Sequence, residues 1–188
     1  FLRQRRSIRN FRDELVPEEK IRQLLEAARF APTAANSQGM YYLVIQDRDL
    51  IKKITDCVAD WMQEQIDNKS PQKRYFIKVL HVYRERGIDI IGRNARQLIF
   101  VLARRLNVTG PSNSDQSLAY AELYAPTLGL GTTIMGFIET CLRADYTPLR
   151  ELLQIPTKQV GVGCLLVGYP RYRYHKLVDR QHLKVEFR

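Results

Sequence analysis

Gly129-Leu130-Gly131-Thr132-Thr133-Ile134-Met135-Gly136-Phe137 is the stretch that decides between two large fold classes. Its glycines suggest a dinucleotide fingerprint. That fingerprint needs a strand, then the glycines, then a helix whose N-terminus meets a pyrophosphate. Here the order is reversed. A helical pattern beginning near Asp115, with Leu118, Ala121, Ala125 and Leu128 inward, precedes the glycines. The β-branched Thr132, Thr133 and Ile134 follow them. Gly129 and Gly131 therefore end a helix, and Thr132 to Ile138 reads as extended. Pro126 falls inside that helix, where its missing N–H is expected to kink the axis.

Outward from this turn, Val160 to Val167 (VGVGCLLV) and Leu98 to Ala103 (LIFVLA) are apolar runs of the kind found in buried strands. Met40 to Ile45 (MYYLVI) is a third. Pro17 to Phe30 reads as a helix, with Pro17 at its start, Glu18 and Glu19 on the positive end of the dipole, and Ile21, Leu24, Leu25 and Ala28 on one face. A second helix starts at about Asp49, with Leu50, Ile54, Cys57 or Val58, and Trp61 at helical spacing. Asn107 to Ser114 (NVTGPSNS) has loop composition, and Pro148 to Leu153 reads as a short helix. Asn68 to Arg96 is charged and weakly periodic, suggesting a lid-like insertion or a short helix. Helices and strands alternate without regular βαβ spacing, so the expected class is α+β, several helices flanking a central mixed or antiparallel sheet.

The 188 residues carry no repeat or Pro/Gly-rich linker, and a single domain over 1–188 is expected. With 45% hydrophobic and 27% charged residues the composition is globular. No apolar run approaches the roughly 18 residues that cross a bilayer, and Phe1-Leu2-Arg3-Gln4-Arg5-Arg6 enters a basic segment without a signal-peptide pattern. A cytoplasmic protein with no membrane partner is expected. Cys57, Cys141 and Cys164 are far apart among apolar neighbours, which reads as buried reduced thiols. The three histidines show no ligand spacing, so no metal is expected. A net charge of +10 raises the question of nucleic acid, but the cations are scattered and form no stripe with aromatics. A solvated basic surface, a phosphate-bearing cofactor and an acidic protein donor remain as readings.

Four clusters carry chemistry. Arg5-Arg6-Ser7-Ile8-Arg9-Asn10-Phe11 sets three guanidiniums around a hydroxyl. Guanidinium forks match phosphate oxygens, although composition alone favours a frayed basic terminus. Ala31-Pro32-Thr33-Ala34-Ala35-Asn36-Ser37-Gln38 is a loop of small residues and amides that allows close approach to a planar ligand, or is simply a helix-to-strand connection. The glycine turn is the third, and Lys176 with Arg180 in the basic tail from Tyr169 to Arg188 is the fourth.

In this order and at these separations, R-R-S-x-R-x-F, A-P-x-x-x-N-S-Q, L-G-L-G-T and G-Y-P before a basic tail resemble the nitroreductase family of FMN enzymes, from Arg5 to about Arg180. The tail and glycine turn look most like members often fused to an N-terminal ferredoxin-like domain. The resemblance implies a homodimer with FMN at the subunit interface. It implies that Arg5, Arg6, Ser7 and Arg9 contact flavin and phosphate, that Lys176 and Arg180 complete a phosphate clamp, and that Met135 and Gly136 lie near the ring. It implies that Pro32, Thr33, Ala34, Asn36 and Gln38 come from the second subunit. Between Asn68 and Arg96 only Gly92-Arg93 is a candidate contact. The chain departs from the family pattern at Gln38-Gly39-Met40, where Gln-Pro-Trp is common, at Thr33-Ala34 in place of Ser-Ser, and at Met135 in place of an acidic residue. The implied activity is electron transfer from NAD(P)H, or from a protein donor such as ferredoxin, to a nitroaromatic or quinone. The flavin carries the chemistry, and no side chain is assigned as catalytic. Two alternatives stay open: a ferredoxin-coupled or flavin-consuming relative on the same scaffold, and a basic nucleic-acid-binding module.

Overall fold

The computed structural model describes residues 2–188. Its centre is β2 (Gln97–Arg104), where every residue but the last is buried, because the run QLIFVLA is apolar on both faces of the pleat. β1 (Tyr41–Ile45) pairs antiparallel on one side, Leu43 opposite Phe100. β4 (Gln159–Gly168) pairs antiparallel on the other, Cys164 opposite Phe100, and β3 (Gly131–Ile134) closes the order β1-β2-β4-β3. All three pairings are antiparallel.

Alternation along β2 divides the core. Leu98, Phe100 and Leu102 face α2 (Arg48–Asp67), α3 (Lys73–Leu80), α5 (Gly136–Arg143) and α6 (Thr147–Leu152). Ile99, Val101 and Ala103 face α1 (Glu18–Arg29) and α4 (Gly110–Tyr124). Helices therefore cover both faces of an antiparallel sheet, in the expected α+β class. The Asp47 carboxylate caps α2 by accepting from the N–H groups of Asp49 and Leu50, at 2.8 and 2.9 Å. α1 presents Ile21, Leu24 and Ala28 inward, as its spacing foretold.

Three expectations need correcting. Asn107–Ser114 is not a loop throughout, because α4 already begins at Gly110, with Pro111 tolerated in its first turn. Pro126 kinks nothing. The α-helix ends at Tyr124, and Ala125–Leu128 is a 3₁₀ turn that Gly129 closes at φ 72°, a left-handed position suited to glycine. The extended segment stops at Ile134, and Gly136–Arg143 is helical because Ile138, Cys141 and Leu142 make one buried face. The charged stretch 68–96 contains α3, a π turn at His81–Glu85 and an irregular run into β2. No described helix is long and apolar enough to cross a membrane.

Candidate functional site

Residues 7–12 form a strap along the free edge of β3 and past the end of β4. The Ile8 N–H donates to the Thr132 carbonyl at 2.9 Å, Arg12 N–H to Tyr169 at 2.8 Å, and Arg171 N–H returns to Asn10 at 2.9 Å. Two buried apolar side chains, Ile8 and Phe11, anchor it. Ile8 lies over Gly131, where an added Cβ would come within 2.6 Å of the Ile8 side chain. The glycine turn thus gives the strap room to dock. Beyond the strap, buried Gln97 holds Val16 twice, accepting from its N–H at 3.0 Å and donating to its carbonyl at 2.8 Å.

A cleft of about 680 Å³ opens between the strap, the glycine turn and the tail. Arg6 and Lys176 both line it, although far apart in sequence. Arg6 donates to the Lys176 carbonyl at 2.5 Å and lies 4.6 Å from the centre of the Tyr174 ring. Arg3 donates to the Val178 carbonyl at 2.8 Å. Glu122 is the cleft's one carboxylate, and it pairs with Arg5 at 3.7 Å. Burial pushes the Glu122 pKa up and Arg5 opposes that rise. A second cleft, about 660 Å³, lies along the strap at Arg9, Asn10 and Phe11 and reaches Arg93 and Arg171.

The predicted residues fall into three sets. Arg5 and Arg6 precede the strap that carries Ser7 and Arg9, Arg6 lining the first cleft, where it meets Lys176, and Arg9 the second; Ser7 is bridged to Thr132 on β3. Met135 and Gly136 sit where β3 turns into α5. The Met135 side chain is buried in the core, its N–H donates to the Cys164 carbonyl at 3.2 Å and its carbonyl accepts from the Glu139 N–H at 2.9 Å, whereas nothing stands within 4 Å of a Cβ built on Gly136. Arg180 lies on the exposed tail and lines neither cleft. The Pro32–Gln38 loop also lines neither. Asn113 on α4 pins it, accepting from the Ala34 N–H at 3.1 Å. Ala35, Asn36 and Gln38 hold φ of 52°, 50° and 48°, and Gln38 N–H donates to Thr33 Oγ1 at 3.0 Å. Several backbone angles unfavourable for non-glycine residues are held there by local bonds. Arg12, Arg173 and Tyr174 line the first cleft without having been singled out. The repeated Arg-Tyr pattern after Pro170 was the signal for Arg173 and Tyr174, and Arg12 carried none beyond its place in the basic opening segment. Among the described residues no group of three or more His, Cys, Asp and Glu is placed to hold a metal.

The first cleft is a cationic cradle with tyrosines at its rim, and the open backbone at Gly136 lies outside the lining of both clefts. Such a donor set fits an anionic, phosphate-bearing group with a planar portion.

Comparison with known proteins agrees in fold, and the family match ends before the tail that carries Lys176 and Arg180. The profile described as the Nitroreductase family matches residues 2–169. A Bacillus subtilis protein named FMN reductase [NAD(P)H] is 28% identical over 171 residues, 91% of this chain and 65% of its own length. An Archaeoglobus fulgidus protein bearing the names NADH dehydrogenase and NAD(P)H nitroreductase is 40% identical over 172 residues, 89% of this chain and 82% of its own. This chain thus spans just under two thirds of the Bacillus protein. A solved nitroreductase with bound FMN from Desulfitobacterium hafniense superposes with a TM-score of 0.76 at 17% identity, covering 98% of this chain and 96% of that one.

Proposed function

This chain belongs to the nitroreductase family, and on that premise we propose that it is an FMN-dependent NAD(P)H oxidoreductase, one domain working as a homodimer. One observation carries the reading. Arg6 near one end of the chain and Lys176 near the other are hydrogen-bonded together at the glycine turn, in a cleft with a single carboxylate.

The residues fit FMN. Arg5, Arg6, Lys176 and Arg180 supply cations to a phosphate carrying close to two negative charges, with Ser7 able to donate its hydroxyl. Arg9 offers a positive charge to the electron-rich edge of the flavin ring, and the open backbone at Gly136 lets a flat group approach. Bound FMN supplies the redox chemistry, taking two electrons from the donor and handing them to the acceptor. Glu122 draws Arg5 toward the cleft and prevents its charge from being spent in solvent. The Pro32–Gln38 loop lies apart from both clefts of its own protomer. Its exposed Asn36 and Gln38 amides bond each other at 3.1 Å and would turn to complete the site of a second copy.

NADH or NADPH is the proposed donor and a nitroaromatic or quinone the acceptor. The +10 charge supports ferredoxin as the competing donor, since an acidic carrier would be steered to this surface. The test is a visible spectrum of purified protein before and after addition of FMN and gel filtration. Flavin bands near one per subunit are expected, bleached by NADH or NADPH. Bleaching by reduced ferredoxin alone would move the donor assignment, and a protein that takes up no flavin would overturn the proposal.

A further inference from the structure

The second cleft separates its cations into two kinds. Arg48 and Arg96 both donate to Asp13 Oδ1, at 2.5 and 2.6 Å, and Lys52 is paired with Asp56. Arg9, Arg93 and Arg171 line the same space. Among the described residues their side chains make no ion pair and donate no hydrogen bond. The Arg93 Nε is buried and without a partner. Leaving a buried charged donor unmet is costly, by more than for a neutral group.

The backbone carrying Arg93 is built tightly. Asp89 accepts three N–H groups: Ile91 at 3.1 Å and Gly92 at 2.6 Å on Oδ1, and Asn94 at 2.9 Å on Oδ2. That clamp holds Arg93 and Asn94 at φ 56° and 50°, in the left-handed region. A Cβ on Gly92 would stand 2.6 Å from Thr55 Cγ2 and 3.0 Å from Asp89 Oδ2, so the loop leaves no space there. Asp89 is committed to the backbone and accepts no hydrogen bond from the Arg93 guanidinium, favouring its charge only through space. Burial first, and Arg9 second, disfavour the charge on Arg93. An orphaned donor and two like charges side by side are both relieved by an anion seated among them.

We propose that Arg93, with Arg9 and Arg171, forms an anion subsite that takes a phosphate of the electron donor, a nicotinamide dinucleotide. The donor's identity rests on the flavin reading; the subsite itself does not. Guanidinium forks suit phosphate oxygens, and Arg9 stands at the boundary between this cleft and the strap that bears the flavin contacts.

The experiment has two arms, on wild type, Arg93→Ala and Arg93→Lys. The first is calorimetric titration of FMN-loaded protein with inorganic pyrophosphate. One site is expected, weakened roughly tenfold in Arg93→Ala and less in Arg93→Lys, the size of one charge-assisted bond. The second is steady-state kinetics with NADH and NADPH together with the FMN dissociation constant. The donor KM should rise roughly tenfold in Arg93→Ala, with kcat and FMN affinity within about twofold. Equal pyrophosphate binding in wild type and Arg93→Ala overturns the subsite. Lost FMN affinity with an unchanged donor KM assigns Arg93 to the cofactor's phosphate and overturns the proposal, and so does absence of turnover with either nucleotide. If wild type takes up no flavin, the flavin reading has failed separately. Pyrophosphate titration of the flavin-free protein then decides the subsite: binding lost in Arg93→Ala upholds it, and unchanged or absent binding removes it.

Discussion

Arg5 stands between two demands. It pairs with the buried Glu122 and belongs to the set that would hold the FMN phosphate. Arg5→Ala should raise the FMN dissociation constant roughly tenfold or more, read by fluorescence titration. Unchanged affinity would remove Arg5 from the site. The same variant should alter the pH response. With Arg5 gone, only burial acts on Glu122, so its raised pKa rises further. A carboxyl whose folded pKa is raised contributes stability fully present below the ordinary Glu range and lost as pH climbs through the raised value. Melting temperature should therefore fall more steeply in Arg5→Ala than in wild type between about pH 4.3 and neutrality. The cysteines give a second check. Burial, aided by Asp60 and Glu64, pushes the Cys57 thiol up to about 11, and burial raises Cys141 and Cys164 too. Alkylation of the native protein by iodoacetamide should be slow at pH 7 and climb with pH toward 11, not level off near the usual 8.5 or so. A fast-reacting thiol at neutral pH would contradict this. At this scale the sequence was a good guide to residue type and a poor one to side-chain direction. Arg5, Arg6, Arg9 and Lys176 were named through the family resemblance, because charge alone reads them as a frayed basic terminus and tail, and nothing in the spelling of Met135 reveals that its side chain turns into the core. Arg93 was visible only as part of Gly92-Arg93. Its use depends on Asp89 folding back onto three backbone groups, a loop device without periodicity.

The strap and β3 depend on one another through Gly131. Gly131→Ala would set a methyl against Ile8, which is β-branched and tied at its own N–H to Thr132. Relief requires the strap to shift, at about 1–3 kcal/mol. The expected result is a lower melting temperature with FMN affinity reduced as well, because Ser7 and Arg9 move with Ile8. A variant that melts lower but binds FMN as before would separate the turn from the site. Elements with a clear apolar pattern were readable: Ile21, Leu24 and Ala28 announced the one buried face of α1, and the unbroken LIFVLA announced β2, buried on both faces. Misreadings cluster where side-chain capture overrides composition. Asn107–Ser114 looks like loop, yet Thr109 donates to Asn107 Oδ1 and Asn113 bonds the 33–38 loop, so α4 starts early. α5 was missed because Thr132–Ile134 led into it without a break in hydrophobicity, and only Gly136 marks the change.

For the whole molecule, β1-β2-β4-β3 order leaves β3 at an edge, and the strap covers part of that edge. The tail beyond Pro170 is mostly exposed and touches the remainder through Arg3, Arg6 and the Asn10 carbonyl. Ending the chain after Tyr172 should therefore cost little stability, less than about 1 kcal/mol, while FMN retention on gel filtration is lost. Equal flavin content in the shortened protein would remove Lys176 and Arg180 from the clamp. The α+β class and the family were legible because four motifs keep their order over nearly the whole chain. How the motifs meet was not, since it depends on sheet order. That meeting has a consequence for biosynthesis. Residues 3–12 are made before their partners at 168–178, roughly ten to thirty seconds earlier at ~5–20 residues per second. Until then the basic strap has no completed cleft, and cofactor capture waits for the segment after β4, so it cannot guide the folding of what is made before it.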